Sequence, residues 1–265
     1  MPGPVTQAKL GFAPWLDPRL RRLPGVQPLA PADWVLVDDA YAGQMAQRDG
    51  LIATVPEQVH ALLPEARAAA TELLEAVLAE LSGRPGFVRA GGTLRRPDGV
   101  VVSLDPAAPL LTLGRLVQAD WCLLQPRGGV HVLTGAVLCF PSGWRLSDKI
   151  GRALPAIHAP VPAYDAQIAA RVQRLFDGVR PGAPLWRANL LAHADPTLHQ
   201  PLPEGASRPP VPAPAPFLRS ERQAIARLPV SGAAVFSIHT AVVARANLTA
   251  EQRSTFDALT AAPHA

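Results

Sequence analysis

Two apolar runs, residues 121–125 and 130–140, flank a Pro126-Arg127-Gly128-Gly129 turn, and they restrict this chain more than any other stretch. Side chains of a strand alternate between its faces. In the second run Val130, Val132, Thr134, Ala136 and Leu138 share one face, and His131, Leu133, Gly135, Val137 and Cys139 share the other. Neither face is polar enough to meet water, so the hairpin predicts a sheet covered on both sides. The glycines supply the positive φ that a tight hairpin turn can need. His131 falls near the hairpin end, where an exposed polar residue is ordinary and a ligand the exception. A turn at 126–129 pairs Cys122 with a position near Val132 or Leu133, leaving Cys139 too far away for a disulfide. These two cysteines, the only ones in the chain, then read as buried thiols.

The covering layers must come from the rest of the chain. Ala66, Ala70, Leu73, Leu74, Val77, Leu78 and Leu81 recur at helical spacing and predict a helix with one buried stripe, stopped at Gly83. Thr54-Val55-Pro56-Glu57 has capping-box spacing and predicts a short helix to about Leu63, carrying His60 as a structural or exposed residue. Asp165 caps a predicted helix whose buried stripe is Ile168, Val172, Leu175, Phe176 and Val179, ending near Gly178. Strands are expected over 99–104, after a Pro-Asp-Gly turn, over 184–191 and over 233–243. Residues 219–227 read as a short basic helix, and Thr249-Ala250-Glu251-Gln252 opens a last helix toward Leu259. Residues 200–216 are rich in proline and poor in apolar bulk, a loop rather than a linker. Residues 1–55 show few periodic runs; short pieces at 11–16 and 34–37 would lie across the core, and Asp38-Asp39 reads as a solvated turn. Together these signals predict an α+β fold, an antiparallel sheet flanked by helices, in a single domain spanning 1–265 with a helical N-terminal part.

Several function classes fall away on composition. A charged fraction of 17% with 48% hydrophobic residues describes a soluble globular protein. No apolar run is long enough to span a membrane, and the N-terminus lacks a signal pattern, so the cytoplasm is expected. The net charge of +4 comes from scattered arginines with few aromatics, which is not a nucleic-acid footprint. There is no GxSxG elbow, P-loop or HExxH, and Arg89-Ala90-Gly91-Gly92-Thr93 lacks the spacing of a dinucleotide fingerprint. Without CxxCH, covalent c-type haem is excluded. His193 and His199, six apart around Asp195-Pro196, leave a metal site open, although surface histidines in a loop are commoner.

Residues 140–162, FPSGWRLSDKIGRALPAIHAPVP, combine a tight turn, Trp144, Lys149, Arg145, Arg152 and His158. Pro160 and Pro162 are expected to hold His158 on an extended, stiff backbone. A fixed imidazole with nearby cations and an aromatic has the ingredients of a haem pocket. A core histidine satisfied by backbone explains His158 equally well on physical grounds alone.

The segment also carries a resemblance. Cys139–Trp144, Lys149-Ile150-Gly151 with Leu154, and Ile157-His158-Ala159-Pro160-Val161-Pro162 resemble the signature of the haem-dependent oxidative N-demethylase family, in its haem-carrying subunit. Trp121-Cys122-Leu123-Leu124, the Arg187-x-Asn189 segment, Arg219-Ser220-Glu221-Arg222-Gln223, Arg227-Leu228-Pro229 and Ser231-Gly232-Ala233 match further pieces in the same order. The likeness runs from about residue 12 to residue 243 and is strongest over 119–243. It implies a PAS-like α+β fold holding non-covalent haem b, with His158 as proximal ligand. It also implies Lys149, Arg187 and Arg222 as propionate or pocket cations, with Trp144 against the macrocycle. The implied reaction uses oxygen and electrons from a flavin and iron–sulfur reductase to convert a small methylated amine to the demethylated amine and formaldehyde. The chain has Leu190-Leu191 where the family has an aromatic, so the substrate does not carry over. From another class, a non-catalytic PAS-type haem or small-ligand sensor shares the same shell.

Overall fold

The apolar hairpin lies inside an antiparallel sheet with a neighbouring strand on each flank, as its two apolar faces require. The computed structural model describes residues 3–21, 25–159 and 165–261. In chain order, β1 (Gln27–Pro28), α1 (Tyr41–Thr54) and β2 (His60–Leu62) precede α2 (Arg67–Leu81). A small separate sheet follows, made of β3 (Val88–Ala90), β4 (Thr93–Arg95) and β5 (Val101–Ser103), and then α3 (Pro109–Gly114). The hairpin is β6 (Asp120–Arg127) and β7 (Val130–Val137). Helices α4 (Leu154–His158) and α5 (Ala166–Gly178) come next, followed by β8 (Leu185–Ala188) and β9 (Leu191–His193). Two long strands, β10 (Phe217–Arg227) and β11 (Ala234–Ala244), and α6 (Ala250–Ala261) complete the chain. The main sheet runs β1-β8-β10-β11-β6-β7-β2, with β9 also pairing with β10, and every pair is antiparallel. The fold is α+β. No helix of the described residues is long and apolar enough to cross a membrane.

The hairpin turn is tighter than the sequence suggests. Pro126 and Arg127 continue β6, and only Gly128 (φ 59°) and Gly129 (φ 82°) form the loop, the left-handed pair that a two-residue hairpin requires. The ladder then slips between Leu123 and Leu124, which pair with Gly135 and Leu133 and leave Thr134 as a bulge. The shorter turn and the bulge together bring Cys122 opposite Ala136, not Val132 or Leu133. Both cysteines are nevertheless free and buried. The bulge also reverses the alternation: Leu133 packs with Ala136 and Leu138 on one face, while Val137 and Cys139 belong to the other. His131 is not exposed. It is 1% accessible, with its ring 5.5 Å from Phe176 and Nδ1 bonded to Gln173 Nε2 at 2.9 Å.

One face of the sheet is packed solid. Met45 of α1, Leu73, Leu74 and Val77 of α2 and Leu110 and Leu113 of α3 close on Trp121, Leu123, Val137 and Val235. The α2 stripe falls where its periodicity places it, and Gly83 (φ 81°) follows the stop. Helix α1 has no counterpart in the sequence reading. Its buried face carries Gln44 and Arg48 beside Tyr41 and Met45, which hides the apolar period. Arg48 pairs with Asp120 at 2.6 Å, both essentially inaccessible, and Asp120 also accepts the amides of Cys139 (2.7 Å) and Phe140 (2.9 Å).

Other expectations need correction. Thr54 ends α1 instead of capping a new helix: its hydroxyl donates to Gly50 O, and Pro56 opens a single turn, Pro56–Val59, with Val55 at its N-cap. His60 consequently sits on β2. Residues 219–227 form no helix; they are most of β10, paired along its length with β11. Asp38 is no solvated turn residue. It accepts from His239 Nε2 (2.9 Å), Gln7 Nε2 (2.9 Å) and Gln118 Nε2 (2.8 Å). By contrast, the Thr249 capping box forms in full, with Gln252 N donating to Thr249 Oγ1 and Thr249 N to Gln252 Oε1. Arg89–Thr93 is the β3–β4 turn, followed by a strand where a dinucleotide site needs a helix.

Candidate functional site

The second face of the sheet is hollow. A cavity of about 630 Å³ opens between the strands β6, β10 and β11, the helices α4 and α5, and residues 202–208 of the proline-rich segment. That volume falls among small-molecule and cofactor sites, roughly 300–1,000 Å³. Its walls are mainly apolar, from Cys122, Leu124, Phe236 and Ile238 on the sheet and Ile168, Val172 and Leu175 on α5. The α5 stripe is therefore only partly core: Phe176 and Val179 are buried, while Ile168, Val172 and Leu175 are half-buried and face the cavity. Asp165 caps this helix as its position predicts, accepting from Ile168 N at 2.8 Å.

His158 lines the cavity from the last position of α4. Its backbone is helical, not extended. Pro155 in the first turn favours the helix, and Ala159, although directly before Pro160, also keeps αR dihedrals (φ −49°, ψ −34°), so the pre-proline preference for extended backbone is overridden here. Pro160 and Pro162, expected to clamp this histidine, lie outside the described residues. The ring is oriented by Nδ1, which donates to Leu154 O at 2.9 Å and so fixes the tautomer with a lone pair on Nε2. Burial lowers its pKa, opposed by the Leu154 bond and reinforced by the charges of Lys149 and Arg187, so the imidazole is neutral near pH 7.

The expected cations divide three ways. Lys149, 6% accessible, lines the cavity, but its ammonium is committed to Ile157 O (2.8 Å) and Glu204 Oε2 (3.1 Å). Arg187 of β8 also lines the cavity; its buried Nε has no hydrogen-bond partner among the described residues, and burial lowers its pKa against the pull of Glu221. Arg222 does not line the cavity. Because β10 is a strand, Glu221, Gln223 and Ile225 point in and Arg222 points to the opposite face, where it donates to Asp33 O (2.7 Å) and lies 5.3 Å over the Trp186 ring. Trp144 is on the cavity wall. Arg145 is bound to Asp148, and Arg152 to Glu204 at 2.7 Å.

Glu221 is the cavity residue that the sequence reading placed on a surface helix. Arg219 Nε (3.2 Å), Asn189 Nδ2 (2.9 Å) and Gln223 Nε2 (3.2 Å) all donate to its carboxylate. Asn189 closes the frame by accepting Glu221 N on its Oδ1 at 2.9 Å. Arg219, fully buried, also donates to the carbonyls of Leu198 and Phe140. The Arg187-x-Asn189 and 219–223 segments, distant in sequence, thus meet across the β8–β10 pairing. Their order in the chain carries that signal; helix propensity over 219–227 conceals it.

His193 and His199 face elsewhere. His193 Nε2 is 3.5 Å from Ser142 Oγ, with its pKa pushed down to about 4 by burial and then by Arg219 and Arg208; His199 Nδ1 donates to Cys139 O at 2.8 Å. Among the described residues no cluster of three or more His, Cys, Asp or Glu could hold a metal ion. Cys122, on the cavity wall, has its thiol pushed up to about 12 by burial and then by Asp120, so it stays protonated. Against known families, the model described as haem-dependent oxidative N-demethylase, alpha subunit-like, matches residues 25–263.

Proposed function

The chain belongs to the haem-dependent oxidative N-demethylase family, alpha-subunit-like, and from that membership we propose that its cavity would hold haem b, with His158 as the residue that binds the iron. The family is one of oxidoreductase enzymes that depend on haem, which favours a catalyst over a sensor for this chain. The single observation that carries the site is His158 itself, on the wall of a cofactor-sized cavity with Nδ1 spent on a backbone carbonyl. Metal-binding histidines are oriented in this way, the second nitrogen being set by what the first one holds. Arg187 on the cavity wall fits the same reading, because a largely buried guanidinium suits a carboxylate of the ligand. The sheet and the helices over the cavity serve as a PAS-like shell.

The bound haem would supply oxygen activation for oxidative removal of a methyl group, with electrons from a separate flavin and iron–sulfur reductase. The balance is a methylated amine, oxygen, electrons and protons giving the demethylated amine, formaldehyde and water. The residues of the chain do the rest. Trp144, Phe236 and the inner face of α5 exclude water. Glu221, held by three donors, presents a carboxylate that can pair with a protonated small amine and fix its orientation.

The test is a hemin titration of the purified chain followed by optical spectroscopy. A Soret band should grow to one equivalent and change on reduction, and His158→Ala should shift or weaken it. Loaded protein given an electron donor, oxygen and small N-methylated amines should release formaldehyde. Absence of any Soret band at stoichiometric hemin would refute the proposal.

A further inference from the structure

Helix α4, which carries His158, spans only five residues. A helix of that length has no stability of its own, and its last carbonyls lack partners within it. Lys149 Nζ supplies one, taking Ile157 O at 2.8 Å, while Leu154 O, at the first position of the helix, accepts His158 Nδ1. A cation at a helix C-terminus is also favoured by the helix dipole.

Lys149 is well placed to hold that carbonyl still. Its backbone is tied on both sides, by Lys149 N to Leu146 O (2.9 Å) and by Arg152 N to Lys149 O (3.1 Å). The same loop is laced to β7 by Gly151 N to Leu133 O (2.8 Å) and Leu133 N to Arg152 O (3.0 Å). The ammonium is held from the far side by Glu204, which also binds Arg152 and comes from the proline-rich segment. Its charge is therefore already answered, whereas Arg187, on the same cavity wall, keeps a buried Nε without a hydrogen-bond partner among the described residues.

From this division of labour we infer that Lys149 is a positioning residue for His158, holding α4 in place through the Ile157 carbonyl, and that it is not a partner of the propionates. The inference rests on the haem reading. It also gives residues 200–208 a role: Glu204 connects the segment over the cavity to the residue that sets the imidazole, so closure of the cavity and placement of the ligand are mechanically linked.

The experiment loads the full chain with hemin and, in parallel, with hemin dimethyl ester, whose propionates carry no charge. Lys149→Met is expected to raise the release rate of both about 10- to 100-fold, the usual consequence of losing a residue that orients a metal ligand. It should also shift the ferric Soret band. In a His158→Ala background supplemented with imidazole, the same substitution should change release less than about twofold, because its route of action is gone. An effect seen with hemin and lost with the ester overturns the inference in favour of a propionate contact. An undiminished effect in the His158→Ala background overturns it as well. Should Lys149→Met fail to fold by circular dichroism, Glu204→Gln replaces it, expected to move the same readouts in the same direction by a smaller factor; no movement counts against the inference. A wild-type chain without a Soret band defeats the haem reading itself, a result distinguishable from all of these.

Discussion

Replacing Asp120 by alanine should be among the most damaging single changes in this chain. Its carboxylate is 1% accessible and answers three donors: Arg48 Nη1 at 2.6 Å and the amides of Cys139 and Phe140 at 2.7 and 2.9 Å. Removing one partner of a buried ion pair costs about 3–5 kcal/mol, because the remaining charge is stranded away from water. Arg48 has little room to recover. Its Nε is spent on Gly114 O, its Nη2 has no hydrogen-bond partner among the described residues, and its guanidinium lies over the Phe140 ring. Each orphaned amide adds roughly 1–3 kcal/mol if nothing replaces the acceptor. The three losses share one relaxation and do not add fully, so the total should be about 4–6 kcal/mol. At a slope of about 2–3 kcal/mol per M, the urea midpoint should fall by about 2 M. The control is Arg48→Met with Asp120→Leu: with both charges gone, this double variant should be more stable than Asp120→Ala alone. A loss below about 1 kcal/mol for Asp120→Ala, or a double variant worse than the single, would refute the reasoning.

Arg187→Met should stabilise the ligand-free chain by about 1 kcal/mol, since it removes a buried donor without a partner, while weakening hemin binding; urea melts and a hemin titration check both signs. Asp38 titrates at about 2: burial raises its pKa, but hydrogen bonds and charge from His239, with Gln118 and Gln7, outweigh it. With an unfolded value near 3.9, Asp38 contributes stability that is complete above about pH 4 and lost as pH falls toward 2. Asp38→Asn should therefore cost about 2 kcal/mol at pH 7 and much less at pH 2, read from melts across that range. Gly143 has φ 74°, and a Cβ there would come within 2.6 Å of Arg208 Nε. Gly143→Ala should cost about 1–2 kcal/mol in backbone strain alone and loosen residues 200–208, seen as faster proteolysis of that segment.

What could be read from the sequence followed the apolar pattern closely. Helix α2, the capped start of α5, the hairpin and the Thr249 capping box all declare themselves through spacing or cap residues, because local chemistry decides them. The failures share a cause. Helix α1 buries Gln44 and Arg48, whose partners lie at Gln118 and Asp120, so its inner face does not look apolar. Over 219–227, good helix formers such as Glu221, Arg222, Gln223 and Ala224 are overridden by strand pairing on both sides. Arg222 is expected at the site through the family resemblance alone; strand alternation instead sends its side chain to the face opposite Glu221 and Gln223. His158, Lys149, Arg187 and Trp144 were legible as one site only through the family signature, and the helical backbone at His158 was hidden by its nearby prolines.

The sheet answers to different demands on its two sides. Beneath α1, α2 and α3 the space is full, so a change in side-chain volume at Leu73 or Val77 is paid in stability. Across the strands, Ile168, Val172 and Leu175 border open volume, and a change there alters what fits while Phe176 and the Asp165 cap keep the helix seated. A lineage built on this plan can exchange one guest for another by editing a single helix face, with the scaffold behind it left as it was.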